Sequence, residues 1–293
     1  MPRHLRNSAA TGRTITIAVV IVVLCAVALG VWRFSSDAAP SAAPGGAPTH
    51  PAATPSHPAG GPASSPATPS SAPSPTLART GRVDTLDGLV PDYTLPPVED
   101  GMVPVITKIP TEQKVVFLTI DDGAVKRESD LKLLEKNGVK ASLFLAHTFI
   151  AGHAAFYKSY LDAGYLIEDH TMSHNLGFIN LSFAQQKAEI CGMADYEEQQ
   201  FGRRPVFFRP PGGPYTQSVR RAAAECGMKA IVDWEAKANA GGMDYQVGKV
   251  LRPGEIVLMH FRPEFPADLA AFVKAQKAAG LKVVLLEDYL GVK

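Results

Sequence analysis

The chain of 293 residues carries 29 Lys and Arg against 28 Asp and Glu, a formal net charge of +1. That balance argues against a nucleic-acid partner held by a basic face. The length leaves room for one or two domains.

Residues 1–13 are polar and carry Arg3, Arg6 and Arg13 without an acid. Residues 14–32 have no charge and are rich in Val, Ile, Ala and Leu. That is close to the roughly 20 apolar residues of a membrane-spanning helix. The positive flank puts residues 1–13 in the cytoplasm and the rest outside. Two fates of this segment stay open. An uncleaved anchor gives a single-pass cell-membrane protein with an extracytoplasmic domain. A cleaved signal peptide gives a secreted one; Ala26-Val27-Ala28 and the alanines of 38–43 offer small-residue cleavage sites. Cys25 follows Leu24 rather than a small residue, which argues against lipidation there.

Residues 33–76 are a linker of Pro, Ala, Ser, Thr and Gly. So few large apolar residues cannot offset chain entropy, and the prolines make a semi-stiff tether. His50 and His57 read as solvated spacers within it. Residues 77–101 form a transition that wraps the domain or stays partly ordered. A globular domain is expected over 102–293.

Within it, short apolar runs alternate with amphipathic stretches. Strands are expected at 115–120, 141–145, 165–167, 206–208, 229–232, 256–259 and 282–286. Helices are expected at 129–137, 149–163, 182–201, 216–226 and 266–279, each followed by glycine. Ser182 is a plausible N-cap. This alternation predicts an α/β fold, a parallel sheet with helices outside, open or closed into a barrel.

The first strand runs into Asp121-Asp122-Gly123. Successive side chains of a strand point to opposite sides, so the two carboxylates are expected to reach different partners, one a metal and the other a proton. The alternative is a helix N-cap. Other polar groups also fall at strand ends, where parallel α/β folds gather their reactive groups. His170 and His174 follow 165–167, Arg209 follows 206–208, and His260 follows 256–259. On a helical turn His170 and His174 share one face and can share a metal. One carboxylate completes three ligands and leaves a position for water. His260 suits a second proton-handling role. Arg209 can hold a carboxylate charged. His147 and His153 read as structural or surface groups.

These residues resemble the polysaccharide deacetylases with a NodB homology domain, carbohydrate esterase family 4. Thr119-Ile-Asp-Asp-Gly123 looks like the family's Thr-Phe-Asp-Asp-Gly motif. His170-Thr-Met-Ser-His174, Arg209-Pro-Pro-Gly-Gly213 and Leu258-Met-His260 follow in the family order. The resemblance covers about 115–290 and implies a distorted (β/α) barrel. It implies that Asp122, His170 and His174 hold a divalent metal, zinc first, cobalt or another divalent ion next. It implies Asp121 as general base, oriented by Arg209, and His260 as general acid. Leu258 would line a pocket for the acetyl methyl, and a backbone N–H near Gly212 would hold the oxyanion.

Two departures stand out. Gly212 replaces the family's usual Tyr. The Asp-Trp motif, whose Asp tunes the catalytic His, is not clean: Asp233-Trp234 is present, and Asn239 is a second occupant of the tuning position. Trp234 reads as a groove residue or as core packing. Cys191 and Cys226 fall on expected helices of an exported domain, as a disulfide or as two free thiols.

The expected activity is metal-dependent N-deacetylation of peptidoglycan, a chitin-like polymer or another acetylated glycan by a monomer. Its alternatives are a glycan-binding pseudoenzyme and an O-acetyl esterase on xylan-like polymer.

Overall fold

A computed structural model describes residues 85–292. The expected anchor 14–32, the residues before it, the linker 33–76 and the start of the transition lie outside the described residues. No helix among the described residues is long and apolar enough to cross a membrane.

The elements run β1 (Val105–Ile106), β2 (Val115–Asp122), α1 (Glu128–Lys136), β3 (Ala141–Leu145), α2 (His147–Ile150), α3 (Ala154–Asp162) and β4 (Leu166–Asp169). Then come α4 (Phe183–Phe201), β5 (Phe207–Phe208), α5 (Gln217–Glu225), β6 (Ala230–Val232), β7 (Ala236–Asn239) and β8 (Gly242–Tyr245). The chain ends with β9 (Glu255–His260), α6 (Phe265–Ala278), β10 (Lys282–Val283) and α7 (Leu286–Tyr289). One sheet takes the order β1-β6-β5-β4-β3-β2-β9-β7-β8, with β10 on β2. Its pairs are parallel except the β7–β8 hairpin.

This sheet has to curl. β6 lies near one end of the order and β7 near the other, yet Val232 and Ala236 are joined by a link that reaches at most about 14 Å. The result is a half-barrel whose seam is crossed by the chain itself. Residues after β1 brace that seam. Thr107 donates to Glu235 Oε1 at 3.2 Å, and the Ile109 N–H donates to the Gly254 carbonyl at 2.8 Å.

Alternation along β2 sorts the core. Val115 and Phe117 pack inside the curl with Phe144, Phe207, Val232 and Ile256. Val116, Leu118 and Ile120 pack outside with Leu143, Leu145, Val257 and Met259, beneath the helices. Both faces are buried, so the strand is apolar until it reaches Thr119 and the carboxylates. α4 starts at Ser182, whose hydroxyl accepts from the Gln185 N–H in a capping box. Cys191 on α4 and Cys226 at the end of α5 form a disulfide, which decides between the two states left open by the sequence. The transition segment wraps the domain: Thr85 bonds Asp288, and Asp92 accepts from Tyr289 and Thr111.

Some elements differ from expectation. The helix expected over 149–163 is two, α2 and α3, broken where Gly152 takes φ +75°. The last strand ends at Val283, and Leu286 already belongs to α7. The hairpin β7–β8 had no strong apolar alternation. It turns at Ala240 and Gly241, both at positive φ, as a two-residue hairpin requires.

Candidate metal and catalytic site

The site opens at the carboxyl end of β2. Asp121 pairs in register with Phe144 on β3 and His260 on β9. Its side chain continues the inward row of Phe117 and Thr119. Plain alternation would send Asp122 outward, as the sequence reading expected. Instead Asp122 takes φ +75°, a left-handed conformation that Asp tolerates better than most residues. The turn brings its carboxylate back toward the His170 ring that Asp121 also faces, while Arg209 reaches only Asp121 and His174 only Asp122, so the two carboxylates share that one ring and otherwise keep different partners. His170 Nε2 lies 3.7 Å from Asp121 Oδ2 and 3.7 Å from Asp122 Oδ1. Gly123 follows at φ +78°. A Cβ there would meet Ile150 Cγ2 at 2.7 Å and Tyr157 Oη at 2.9 Å, so no side chain fits without a shift.

The imidazole pair is not on a helix. Residues 170–174 form an irregular loop with Thr171 and His174 at positive φ. Neighbouring groups pin that shape. Asp169 Oδ1 accepts from the Thr171 N–H at 2.8 Å, and Thr171 Oγ1 accepts from the His174 N–H at 3.1 Å. The N–H groups of His147 and Thr148, opening α2, donate to the carbonyls of Thr171 and Met172. His147 thus supports the loop through its backbone while its ring stacks edge-on to Tyr196. The two rings still converge, with centroids 4.9 Å apart and His174 Nε2 3.1 Å from Asp122 Oδ1.

Arg209 binds this site together from inside the curl. It is fully buried. Nη1 donates to Asp121 Oδ1 at 2.6 Å and to Thr119 Oγ1 at 2.8 Å. Nε donates to the Val232 carbonyl at 2.8 Å and Nη2 to the Asp233 carbonyl at 3.3 Å. The guanidinium lies over the Phe144 ring at 4.2 Å. Its own carbonyl accepts from His170 Nδ1 at 2.7 Å, so the ring's tautomer is set and Nε2 faces the carboxylates.

Burial raises the proton affinity of Asp122. The hydrogen-bonded imidazoles of His170 and His174, with the charges of His170 and His260, outweigh it and hold the carboxyl well below the usual range. Burial lowers the pKa of His260, against the pull of Asp121 and Asp122. Burial also raises that of Asp233, opposed by Arg209.

The remaining expected residues sit around this centre. Leu258 is buried on β9, paired with Thr119 and Lys237. It lies two residues from His260 and so shares its face. Asn239 ends β7, the strand beside β9. No hydrogen bond to the His260 or Asn239 side chain occurs among the described residues. Gly212 is at φ +74°, with Leu176 and Pro214 in ordinary contact range of a Cβ. Trp234 is half-buried against the inner core, 5.4 Å from the Arg209 guanidinium. It packs so close to Gly213 that a Cβ would lie 2.9 Å from its ring. Trp234 therefore packs against core and loop together.

Sequence reasoning missed three groups: the Thr119 hydroxyl, the Arg209 carbonyl and the Arg262 side chain. The first two leave no spacing signal. Arg262 Nη2 stands 3.5 Å from Asp122 Oδ2, two residues beyond His260.

Asp122, His170 and His174 offer one oxygen and two nitrogens within 4.8 Å of one another. With His170 Nδ1 already committed to a carbonyl, this set fits a divalent cation of the borderline kind.

The polysaccharide deacetylase family model matches residues 108–231. An uncharacterized protein of Streptomyces coelicolor is 38% identical over 196 residues, covering 64% of this chain and 77% of that protein. This chain belongs to the polysaccharide deacetylase family. Another relative is the peptidoglycan-N-acetylglucosamine deacetylase of Bacillus cereus, 27% identical over 200 residues, 64% of this deacetylase-family chain and 92% of that one. Among solved structures, a mutant of a carbohydrate esterase family 4 pseudoenzyme with restored enzymatic activity aligns with TM-score 0.56 and 26% identity. That alignment covers 63% of this chain and 70% of the other. The parent pseudoenzyme, from Bacillus anthracis, aligns with TM-score 0.56 and 24% identity over 63% and 68% of the two chains, and shares the fold.

Proposed function

We propose that this family member is a metal-dependent N-deacetylase of cell-wall or extracellular glycan, with peptidoglycan the first substrate and chitin-like polymer the next. The observation that carries the reading is the division of labour between adjacent carboxylates. Asp122 faces two imidazoles, while Asp121 is held by Arg209 through Oδ1 alone.

A divalent cation on Asp122, His170 and His174, zinc or a similar ion, would polarise the acetyl carbonyl and acidify the attacking water. The chain's own groups handle the protons. Asp121 Oδ2 faces the His170 ring and has no hydrogen bond among the described residues. It takes the proton from water as oxygen adds to the acetyl carbon. Arg209 holds and aims that carboxylate. The Gly212 N–H supports the developing oxyanion. His260, beside Asp121 in register, gives a proton to the nitrogen as the C–N bond breaks. Acetate and a free amine leave. Leu258 contacts the acetyl methyl, and Trp234 borders the sugar.

We further place the domain outside the cytoplasm, tethered through 14–32 or secreted after cleavage, and acting as a monomer. The Cys191–Cys226 disulfide accords with an oxidising compartment.

The test is acetate release by the full chain with zinc, on peptidoglycan, chitin oligomers and acetylated xylan, with glycan binding measured alongside. Release from the N-acetyl glycans supports the reading. Release from xylan alone makes the protein an O-acetyl esterase. Binding without release on any of them makes it a pseudoenzyme.

A further inference from the structure

We infer that Arg262 is a specificity residue that recognises a carboxylate on the glycan chain. The inference rests on the reading that this cleft takes glycan, and it names a chemical class of glycan. The Arg262 side chain is 48% exposed and reaches Asp122 Oδ2 at 3.5 Å. It therefore stands at the lip of the candidate site.

Its backbone is fixed by hydrogen bonds that its side chain lacks. The Arg262 carbonyl accepts from Arg127 Nη2 at 3.0 Å, and the Pro263 carbonyl accepts from Arg127 Nη1 at 3.2 Å. The Phe261 N–H donates to the Asp121 carbonyl at 3.1 Å, and the Phe261 carbonyl accepts from the Val125 N–H at 3.1 Å. Phe261 itself is fully buried. The guanidinium, by contrast, makes no hydrogen bond among the described residues. Arg209, Arg203 and Arg252 each spend theirs on buried or half-buried acceptors.

Asp122 pairs with Arg262 at 3.5 Å without a hydrogen bond, so the contact leaves the donor fork open. The Asp122 Oδ1 already lies 3.1 Å from His174 Nε2, and the carboxylate belongs to the ligand set, so a bound cation would compete for the same charge. A guanidinium on a rigid backbone with its donor fork unfilled matches one ligand group best: a carboxylate, taken side by side. Neutral hydroxyls can accept from it singly. A sugar carrying an acidic substituent fills both prongs.

The experiment compares two probes: an oligomer of alternating N-acetylglucosamine and its lactyl-ether acid, and the same oligomer with the carboxylates amidated. Equilibrium binding to the full chain is measured for the parent, R262Q and R262K. The parent is expected to prefer the carboxylate form by roughly tenfold, the scale of one charge-assisted hydrogen bond. That ratio should fall to near one in R262Q, survive in part in R262K, and shrink with added salt. A parent ratio near one overturns the inference, as does a preference that R262Q keeps, or no binding of either probe. Acetate release is scored separately. Carboxylate preference without any release overturns the deacetylase reading and leaves Arg262 standing. Release without preference does the reverse.

Discussion

His170 Nδ1 lies 2.7 Å from the carbonyl oxygen of Arg209, whose guanidinium holds Asp121 at 2.6 Å. One residue thus sets the tautomer of a candidate metal ligand with its backbone and the orientation of a candidate base with its side chain. Displacing Arg209 disturbs both at once. Arg209→Met leaves Asp121 buried without its counter-ion. The expected cost is about 3–5 kcal/mol of unfolding free energy, the scale for breaking a buried pair. Urea denaturation measures it, and an unchanged midpoint would show that the pair adds nothing.

Asp121→Asn keeps the shape of the side chain and removes its basicity. Metal uptake, followed by competition with a chromogenic chelator, should match the parent. Turnover should drop by about 10²–10⁴, the usual worth of a general base. Release of acetate at the parent rate would reassign the base.

Removal of metal should abolish acetate release, and added zinc or cobalt should restore it. His174→Ala should weaken cobalt binding, read in the visible spectrum, because it deletes one of three donors. Activity indifferent to chelation would end the metal-dependent reading.

Burial, helped by the nearby Glu287 carboxylate, pushes Glu168 up to about 8 from an ordinary 4.5, against the Arg203 cation and the Phe207 N–H. A carboxyl raised in the folded state binds its proton more tightly there than in the unfolded chain. Its contribution to stability is therefore full below about 4.5 and is lost as pH rises through about 8. Urea midpoints should fall across that window, and Glu168→Gln should flatten the fall. A parallel fall in both proteins would locate the dependence elsewhere.

The Cys191–Cys226 disulfide spans a sequence separation of 35. Replacing both cysteines with serine should cost about 3–4 kcal/mol by the loop-closure argument. Calorimetry of the two proteins checks this.

Much of this architecture was legible from residues 115–123, because a fully buried strand must be apolar until it meets the site. The parallel order followed from alternation, and the strand-end positions of His170, Arg209 and His260 pointed to one rim. What stayed hidden depended on backbone conformation. Asp122 escapes the alternation of its strand by one left-handed residue. The His170–His174 loop meets its geometry through Asp169 and the start of α2, neither of which a spacing rule contains. The hairpin β7–β8 stays nearly half polar, since β8 forms the sheet's outer edge. The Arg262 guanidinium meets Asp122 across the chain without a hydrogen bond, an arrangement no local pattern encodes.

Asp122 sits in a conformation that glycine would adopt more readily than any side chain. At that one α-carbon, ease of folding and chemical competence pull in opposite directions. Glycine would relax the turn and empty the ligand set, whereas Asn alone would keep both the backbone shape and an oxygen, at the loss of the charge. On the proposed reading the position is held by the cation it would bind, and the stability it forgoes is supplied by the buried strand that leads into it.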